Sequence, residues 1–336
     1  MATTQIADIY NPLTFARRTQ EAQIELNAFL QSGIAVADPV LAAQFASGGN
    51  IGELPQYNGI TIGEPNYSSD DPASSATPEK ISSKKQIARS AHRNNHWSTM
   101  DLARELALED PAGAITGRIG NYWANDDESR IINSAVGILA DNIANDSGDM
   151  AFVPALIDDA AAVADAERIS ADNILTAEQT MGDHKVKLTT IAMHSIQHTR
   201  LRRQQLLVDN VDPVTGVVIT TYLGKRVVID DSLPVEAGTN RTIYTVALFG
   251  AGAFSSAMGP VITPSEMTRE ALTGDGGGQT ILSSRVNSIY HPNGFQALAG
   301  GVADVTATYA ELAVAAAWDR VVQRKNVAMA FLKCND

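Results

Sequence analysis

His194 and His198 carry the most suggestive chemical spacing in the chain. Residues four apart on a helix share a face, so two imidazoles could begin a zinc site. A metalloprotease helix needs glutamate directly after the first histidine as general base; here Ser195 follows and no third ligand stands nearby. A helix start holding two histidines accounts for the pair, and no metal is expected. Gly250-Ala-Gly252-Ala-Phe-Ser255 imitates a dinucleotide-binding turn, but serine replaces the third glycine and no acidic residue closes a βαβ unit. Gly274-Asp-Gly-Gly-Gly278 lacks the lysine and hydroxyl of a phosphate loop and reads as a flexible turn. No G-x-S-x-G elbow is present. The carboxylates of Asp158-Asp159 and Asp230-Asp231 are adjacent, so each pair points apart and makes no acid/base couple. Cys334 is the single cysteine and can form neither an internal disulfide nor a cysteine-based zinc site. The expectation is therefore no enzyme, no cofactor and no metal.

The composition limits the partners. With 25 basic and 38 acidic residues the net charge is −13, which repels duplex DNA and otherwise favours solubility. The first ten residues carry no charged stretch ahead of an apolar core, and no apolar run is long enough to span a bilayer. A soluble protein folded in a reducing cytoplasm, with no membrane partner, is expected. The length of 336 residues suits about two compact units, and a hydrophobic content of 44% is enough for a real core.

The elements that would position any site are uneven. In residues 1–48, Phe15, Ile24, Leu26, Phe29, Leu30 and Ile34 are scattered among polar positions, with imperfect helical spacing over 17–30. Such an arm must lay its apolar residues on something else, which makes Phe15 and Phe29 candidate inter-subunit contacts. Residues 49–96 are punctuated by Gly52, Pro55, Gly59, Gly63, Pro65, Pro72 and Pro78, with turn chemistry from Asn66 to Pro78. Strands over 54–62 and 79–89 would make this a two-stranded excursion. Its second limb is basic, with Lys80, Lys84, Lys85, Arg89 and Arg93 against Glu79 alone. These five are further candidate contacts.

Residues 97–146 read as helical. Ser98 or Thr99 is expected to cap a helix over 100–108, and Asp110-Pro111 to begin another. Ile115, Ile119, Tyr122 and Trp123, then Ile131, Ala135, Ile138 and Leu139, recur at helical spacing. Asp126-Asp127-Glu128 is expected to interrupt or kink the element. From 149 onward helices and strands intermingle without a βαβ repeat. Ser170 caps a helix over 171–181, 188–193 is an apolar strand, and a helix follows from His194 to about Leu207. A hairpin is expected at 217–229, with further strands over 241–249, 279–289 and 325–333. The fold class is α+β.

Several stretches, taken in order, resemble the major capsid (coat) proteins of tailed bacteriophages with the Hong-Kong-97-type fold. They are Ile169-Ser-Ala-Asp-Asn-Ile-Leu175, Ile191-Ala-Met-His-Ser195, Tyr222-Leu-Gly-Lys-Arg-Val-Val-Ile-Asp-Asp-Ser-Leu-Pro234, Leu248-Phe-Gly-Ala-Gly-Ala-Phe254, Ile289-Tyr-His-Pro-Asn-Gly-Phe295 and Trp318-Asp-Arg-Val-Val-Gln-Arg-Lys-Asn326, with Gln31-Ser-Gly33 near the start. The resemblance runs nearly end to end. It implies an N-terminal arm at 1–48, an extended loop at 49–96 and a peripheral domain with a spine helix at 97–184. An axial domain follows at 185–290, and 291–336 returns to the peripheral domain.

The same resemblance implies a self-assembling icosahedral shell of hexamers and pentamers. Such a shell encloses double-stranded DNA without sequence-specific binding and belongs to the virion, assembled in the host bacterial cytoplasm. Scaffolding, portal and decoration proteins are the implied partners. An acidic lining that does not bind its contents suits such a container, and the basic limb of 79–93 would be steered onto an acidic neighbour. The stretch 141–183 offers ten carboxylates with Arg168 as its only lysine or arginine. Crosslinking through a lysine and an asparagine is not expected, because no partner for Lys84 or Lys85 can be matched. The alternatives are an encapsulin-like compartment shell protein and, in another class, a cytosolic enzyme.

Overall fold

The structure is a computed structural model that describes residues 28–57, 60, 63–81, 83–101, 111–154, 163–211, 218–238 and 240–335. The first described residues form a helical turn, α1 (Ala28–Gln31), then β1 (Ala35–Ala37) and α2 (Pro39–Ala46). Asp38 caps α2 by accepting from the amides of Val40 and Leu41, and Pro39 takes the first helical position, where no N–H is needed. Most of the helical spacing read over 17–30 lies outside the described residues.

Strands β2 (Ile51–Tyr57) and β3 (Ser83–Arg89) pair antiparallel from Ile51↔Arg89 to Tyr57↔Ser83. The two-stranded excursion is present, with strands a few residues nearer the root than expected. After Ser90 the chain continues as β4 (Ala91–Met100). This corrects the sequence reading, in which Ser98 or Thr99 capped a helix: both belong to a strand. His92, Asn94, His96 and Ser98 face outward and alternate with less exposed neighbours, a period of two that so polar a segment hides from hydrophobic pattern reading.

Helix α3 (Pro111–Asn145) runs for 35 residues without a break, about 50 Å at 1.5 Å per residue. The expected interruption at Asp126-Asp127-Glu128 does not occur. Arg93, reaching across from β4, forms ion pairs with both Asp126 and Asp127 and removes the like-charge repulsion that would have bent the helix.

The remaining chain supplies β5 (Ala151–Phe152), α4 (Ala171–Gln179), β6 (Leu188–Met193), α5 (Ser195–Arg203), β7 (Val208–Val211), β8 (Val218–Tyr222), β9 (Lys225–Ile229) and β10 (Val235–Ala237). Then follow β11 (Thr242–Gly250), β12 (Phe254–Met258), β13 (Ser265–Glu270), β14 (Gln279–Pro292), β15 (Phe295–Ala297), α6 (Tyr309–Leu312), β16 (Trp318–Arg320) and β17 (Met329–Asn335). Ser170 caps α4 as expected, accepting from the amide of Asn173. Leu223 and Gly224 both have positive φ, 48° and 76°, in the two-residue turn joining β8 to β9, the backbone such a hairpin requires.

An eight-stranded mixed sheet runs β5-β17-β11-β6-β9-β8-β7, with β10 also on β11. Both faces of its centre are covered. Ala247, Phe249, Ala192 and Phe331 join a core with Ile131, Ala135 and Ile138 of α3. Val246, Leu248, Ile191 and Leu332 join a second core with Ile174 and Ala177 of α4 and Leu201 of α5. That is why β11 reads as an unbroken apolar run instead of an alternating one.

In the second, five-stranded sheet β14 is the hub. β4 lines one edge from Ala91↔Ser288 to Met100↔Gln279, while β12 and β13 lie end to end along the other. Trp97, Met267 and Leu282 of this sheet pack on Ile119 and Trp123 of α3. One helix therefore joins both sheets, its first half on the five-stranded sheet and its second on the eight-stranded one.

Candidate functional site

The β2–β3 hairpin has a fixed root and a free end. At the root Ala88 is fully buried among Leu41, Phe45, Ala257 and Ile289. Gln86 is buried too; its Oε1 accepts from the Gly294 amide at 3.1 Å and lies 3.3 Å from His291 Nε2. The approach of α2 is close enough to require glycine at 52, where a Cβ would stand 2.9 Å from the Phe45 ring. Gln44 Nε2 adds a 2.7 Å hydrogen bond to the Glu53 carbonyl.

Beyond this root every residue described from 63 to 81 is exposed. The hydrogen bonds there are local turns: Tyr67 Oη to Glu64 at 3.1 Å, the Asp71 amide to Ser69 at 3.1 Å and the Ala73 amide to Asp71 at 2.9 Å. Ile60, Tyr67 and Ile81 leave 70%, 76% and 62% of their surface in solvent. A long limb that leaves its apolar groups largely in solvent is arranged to be covered by another molecule.

The candidate contact residues separate along this limb. Lys80 and Lys84 are exposed and have no ion-pair partner among the described residues. Lys85 is exposed and pairs across the hairpin with Glu53 at 2.7 Å. Arg89 is half-buried at the root. Arg93 is drawn inward: besides Asp126 and Asp127 it donates to Ser288 Oγ, and its guanidinium lies 5.4 Å from the Trp123 ring centre. Phe29 is fully buried, edge-on to Phe249 at 6.2 Å, so its contacts are made inside its own chain. Phe15 lies outside the described residues.

The acidic stretch 141–183 is less available than its sequence implies. Arg320 takes Asp146 and Asp149, Arg241 takes Glu167 at 2.7 Å, Lys225 takes Glu178 at 2.9 Å and Lys325 takes Asp183 at 2.8 Å. These cations come from residues distant in sequence, so local composition could not reveal them. Asp141 is buried, and desolvation raises its pKa. Asp172 is exposed, and Asp158 and Asp159 lie outside the described residues.

The two histidines have separate roles. His194 is the N-cap of α5, its Nδ1 accepting from the Ile196 amide at 3.2 Å, with the ring tilted at 56° to Tyr244 and centred 5.1 Å from it. His198 is buried, and desolvation lowers its pKa. Among the described residues no three His, Cys, Asp or Glu side chains form a metal-binding group. The glycines at 250–252 and 274–278 occupy the tight connections from β11 to β12 and from β13 to β14. Glu128, half-buried on α3, has its pKa raised to about 7 by desolvation and by the charge of Asp230.

The sheets, the long helix and the outstretched hairpin define a Hong-Kong-97-type capsid subunit, and comparison with known proteins agrees. Capsid structures of Ralstonia phage GP4 and cyanophage Pam1 share the fold at TM-scores of 0.60 and 0.52. The first is 10% identical, covering 93% of this chain and 90% of that one; the second is 11% identical, covering 85% of each. In sequence the chain is 34% identical to the major capsid protein of Bacillus phage SPP1 over 330 residues, 97% of both chains. The Gp13-like family, described as major capsid protein 13-like, matches residues 69–257. The chain belongs to this family of major capsid proteins, and its function is to form the capsid shell of a tailed phage.

Proposed function

We propose that the excursion at 49–96 is the extended loop by which each subunit grips the next, and that Lys80, Lys84 and Lys85 steer it onto an acidic neighbour. The observation that supports this is the exposure of the whole limb from 63 to 81, apolar side chains included, beyond a root locked by Gln86 and Ala88. On this reading Phe29, Arg89 and Arg93 fix the body that carries the loop instead of touching the neighbour themselves. Residues 1–48 act as the arm, 97–184 and 291–336 as the peripheral domain with α3 as its spine, and 185–290 as the axial domain around capsomer axes. The subunits gather as hexamers and pentamers and enclose double-stranded DNA without reading its sequence. Assembly takes place in the host cytoplasm with scaffolding, portal and decoration proteins. The protein works as structure and not as a catalyst, and its subunits are not crosslinked.

The test is charge reversal, Lys84→Glu with Lys85→Glu, followed by negative-stain electron microscopy of the protein expressed with its scaffolding protein. The variant folds as the parent does but yields few or no shells. Normal shell yield would show that the basic limb does not direct the contact.

A further inference from the structure

The eight-stranded sheet ends in two open edges, β7 and β5, each with a hydrogen-bonded neighbour on one side only among the described strands. Helices on one face of the sheet reach both edges. The last turn of α5 lies beside β7, where Arg202 meets Asp209 at 3.2 Å. At the other edge α4 packs on β17 and β5. The two corners differ in charge. Arg200, Arg202 and Arg203 close α5, and Asp209 pairs with Arg202 alone. Arg203 is exposed, Arg200 is half-buried with its Nε lacking a hydrogen-bond partner, and neither forms an ion pair among the described residues. The helix dipole favours cations in a last turn but supplies only about half a charge against them. At the β5 corner Asp172 is exposed in the first turn of α4, with no ion pair among the described residues. Asp165 is exposed nearby, in the segment that Asn173 holds by donating to the Ala166 carbonyl, and is paired with Arg168 at 3.2 Å. Each corner also leaves apolar groups in solvent, Leu206 and Val208 at one, Val153 and Leu175 at the other.

We propose that these corners are the two halves of one contact between copies of this chain, the α5–β7 corner of one subunit seated on the α4–β5 corner of the next. Surfaces at opposite edges of one sheet suit a head-to-tail contact, which repeats around an axis until a ring closes. Opposite charge fixes its register and disfavours the arrangements in which like corners meet. The apolar groups add area that leaves water only on contact. Phosphates of enclosed DNA would match the arginines alone and leave Asp172, Leu175 and Val153 without a role. The inference rests on the reading of subunits gathered as rings and is independent of where the excursion docks.

The experiment uses the full chain expressed with its scaffolding protein. It compares the parent, Arg200→Glu with Arg203→Glu, Asp172→Arg, and the triple variant that carries all three changes. Shell yield is read by sedimentation and negative-stain electron microscopy, and the fold by the unfolding midpoint of the subunit. Each reversal alone lowers shell yield by about tenfold or more in a subunit that still folds, and the triple variant recovers most of it. Should burial of Arg200 prevent folding, Arg203→Glu at its exposed position carries the test, paired with Asp172→Arg. Normal yield from either reversal, or a triple variant no better than its parts, would overturn the proposal. So would shells of normal yield that package less DNA, which would assign the arginines to phosphates. Recovery in the triple variant with rings of another number would support the contact and correct the hexamer-and-pentamer reading, so the two fail separately.

Discussion

From Ile243 to Gly250 strand β11 is buried, held between β17 and β6 with a core on each face, while every residue described from 63 to 81 is exposed. Both regions carry apolar side chains. In β11 they are buried against partners within the chain; in the excursion Ile60, Tyr67 and Ile81 leave most of their surface in solvent. Burial of apolar area is what stabilises a fold, so β11 contributes to the stability of the subunit and the exposed limb from 63 to 81 contributes little. The stabilisation the excursion can offer is gained only when another subunit covers it. Folding and assembly are thereby assigned to different parts of one chain.

The contrast can be broken from the folded side first. Leu248 is fully buried at the centre of the sheet. Leu248→Ala should cost about 2–5 kcal/mol in denaturant unfolding, whereas Tyr67→Ala should change subunit stability by less than about 0.5 kcal/mol while lowering shell yield. A large loss from Tyr67→Ala would mean the excursion does pack on its own body.

Gly137 sharpens the same comparison inside α3. A Cβ there would stand 2.0 Å from the Leu312 carbonyl oxygen and 2.7 Å from the Trp318 ring. Trp318 is pinned in turn by its own 2.8 Å hydrogen bond to that carbonyl. Gly137→Ala should destabilise the subunit by about 1–3 kcal/mol, measured by unfolding midpoint. Gly63→Ala in the open excursion, where nothing lies within 4 Å, should leave the midpoint in place.

The smallest effect concerns pH. Burial and Asp230 push the Glu128 carboxyl of the folded chain up to about 7, against an ordinary value of 4.5. Between these values the folded state binds more protons than the unfolded one, so stability falls as pH rises through that window. Glu128→Gln should flatten this slope and, above pH 7, raise stability by roughly 1 kcal/mol once solvent screening is allowed for. An unchanged slope in the variant would show that Asp230 and burial do not act on this carboxyl as described.

Much of this contrast was legible in the residues. The residues of 241–249 declared a strand, and the glycines and prolines of 49–96 declared an excursion; that β11 is buried on both faces came only with the structure. What stayed hidden depended on contacts between distant parts of the chain. β4 is a strand because β14 offers it an edge, not because its polar residues favour one. The helix through Asp126-Asp127-Glu128 persists because Arg93 arrives from another element. The same process removed Arg93 and Phe29 from the exposed surface and paired five of the ten carboxylates of the acidic stretch with Arg320, Arg241, Lys225 and Lys325. Local charge density shows which residues need partners, but not where the partners come from.

The most direct test of the account replaces residues 60–81 with a short turn, leaving the root at Gln86 and Ala88 intact. The unfolding midpoint of the subunit and its shell formation under negative-stain microscopy are then measured together. The account predicts an unchanged midpoint and no shells. Shells of normal yield from the shortened chain, or a subunit that no longer folds, would contradict it.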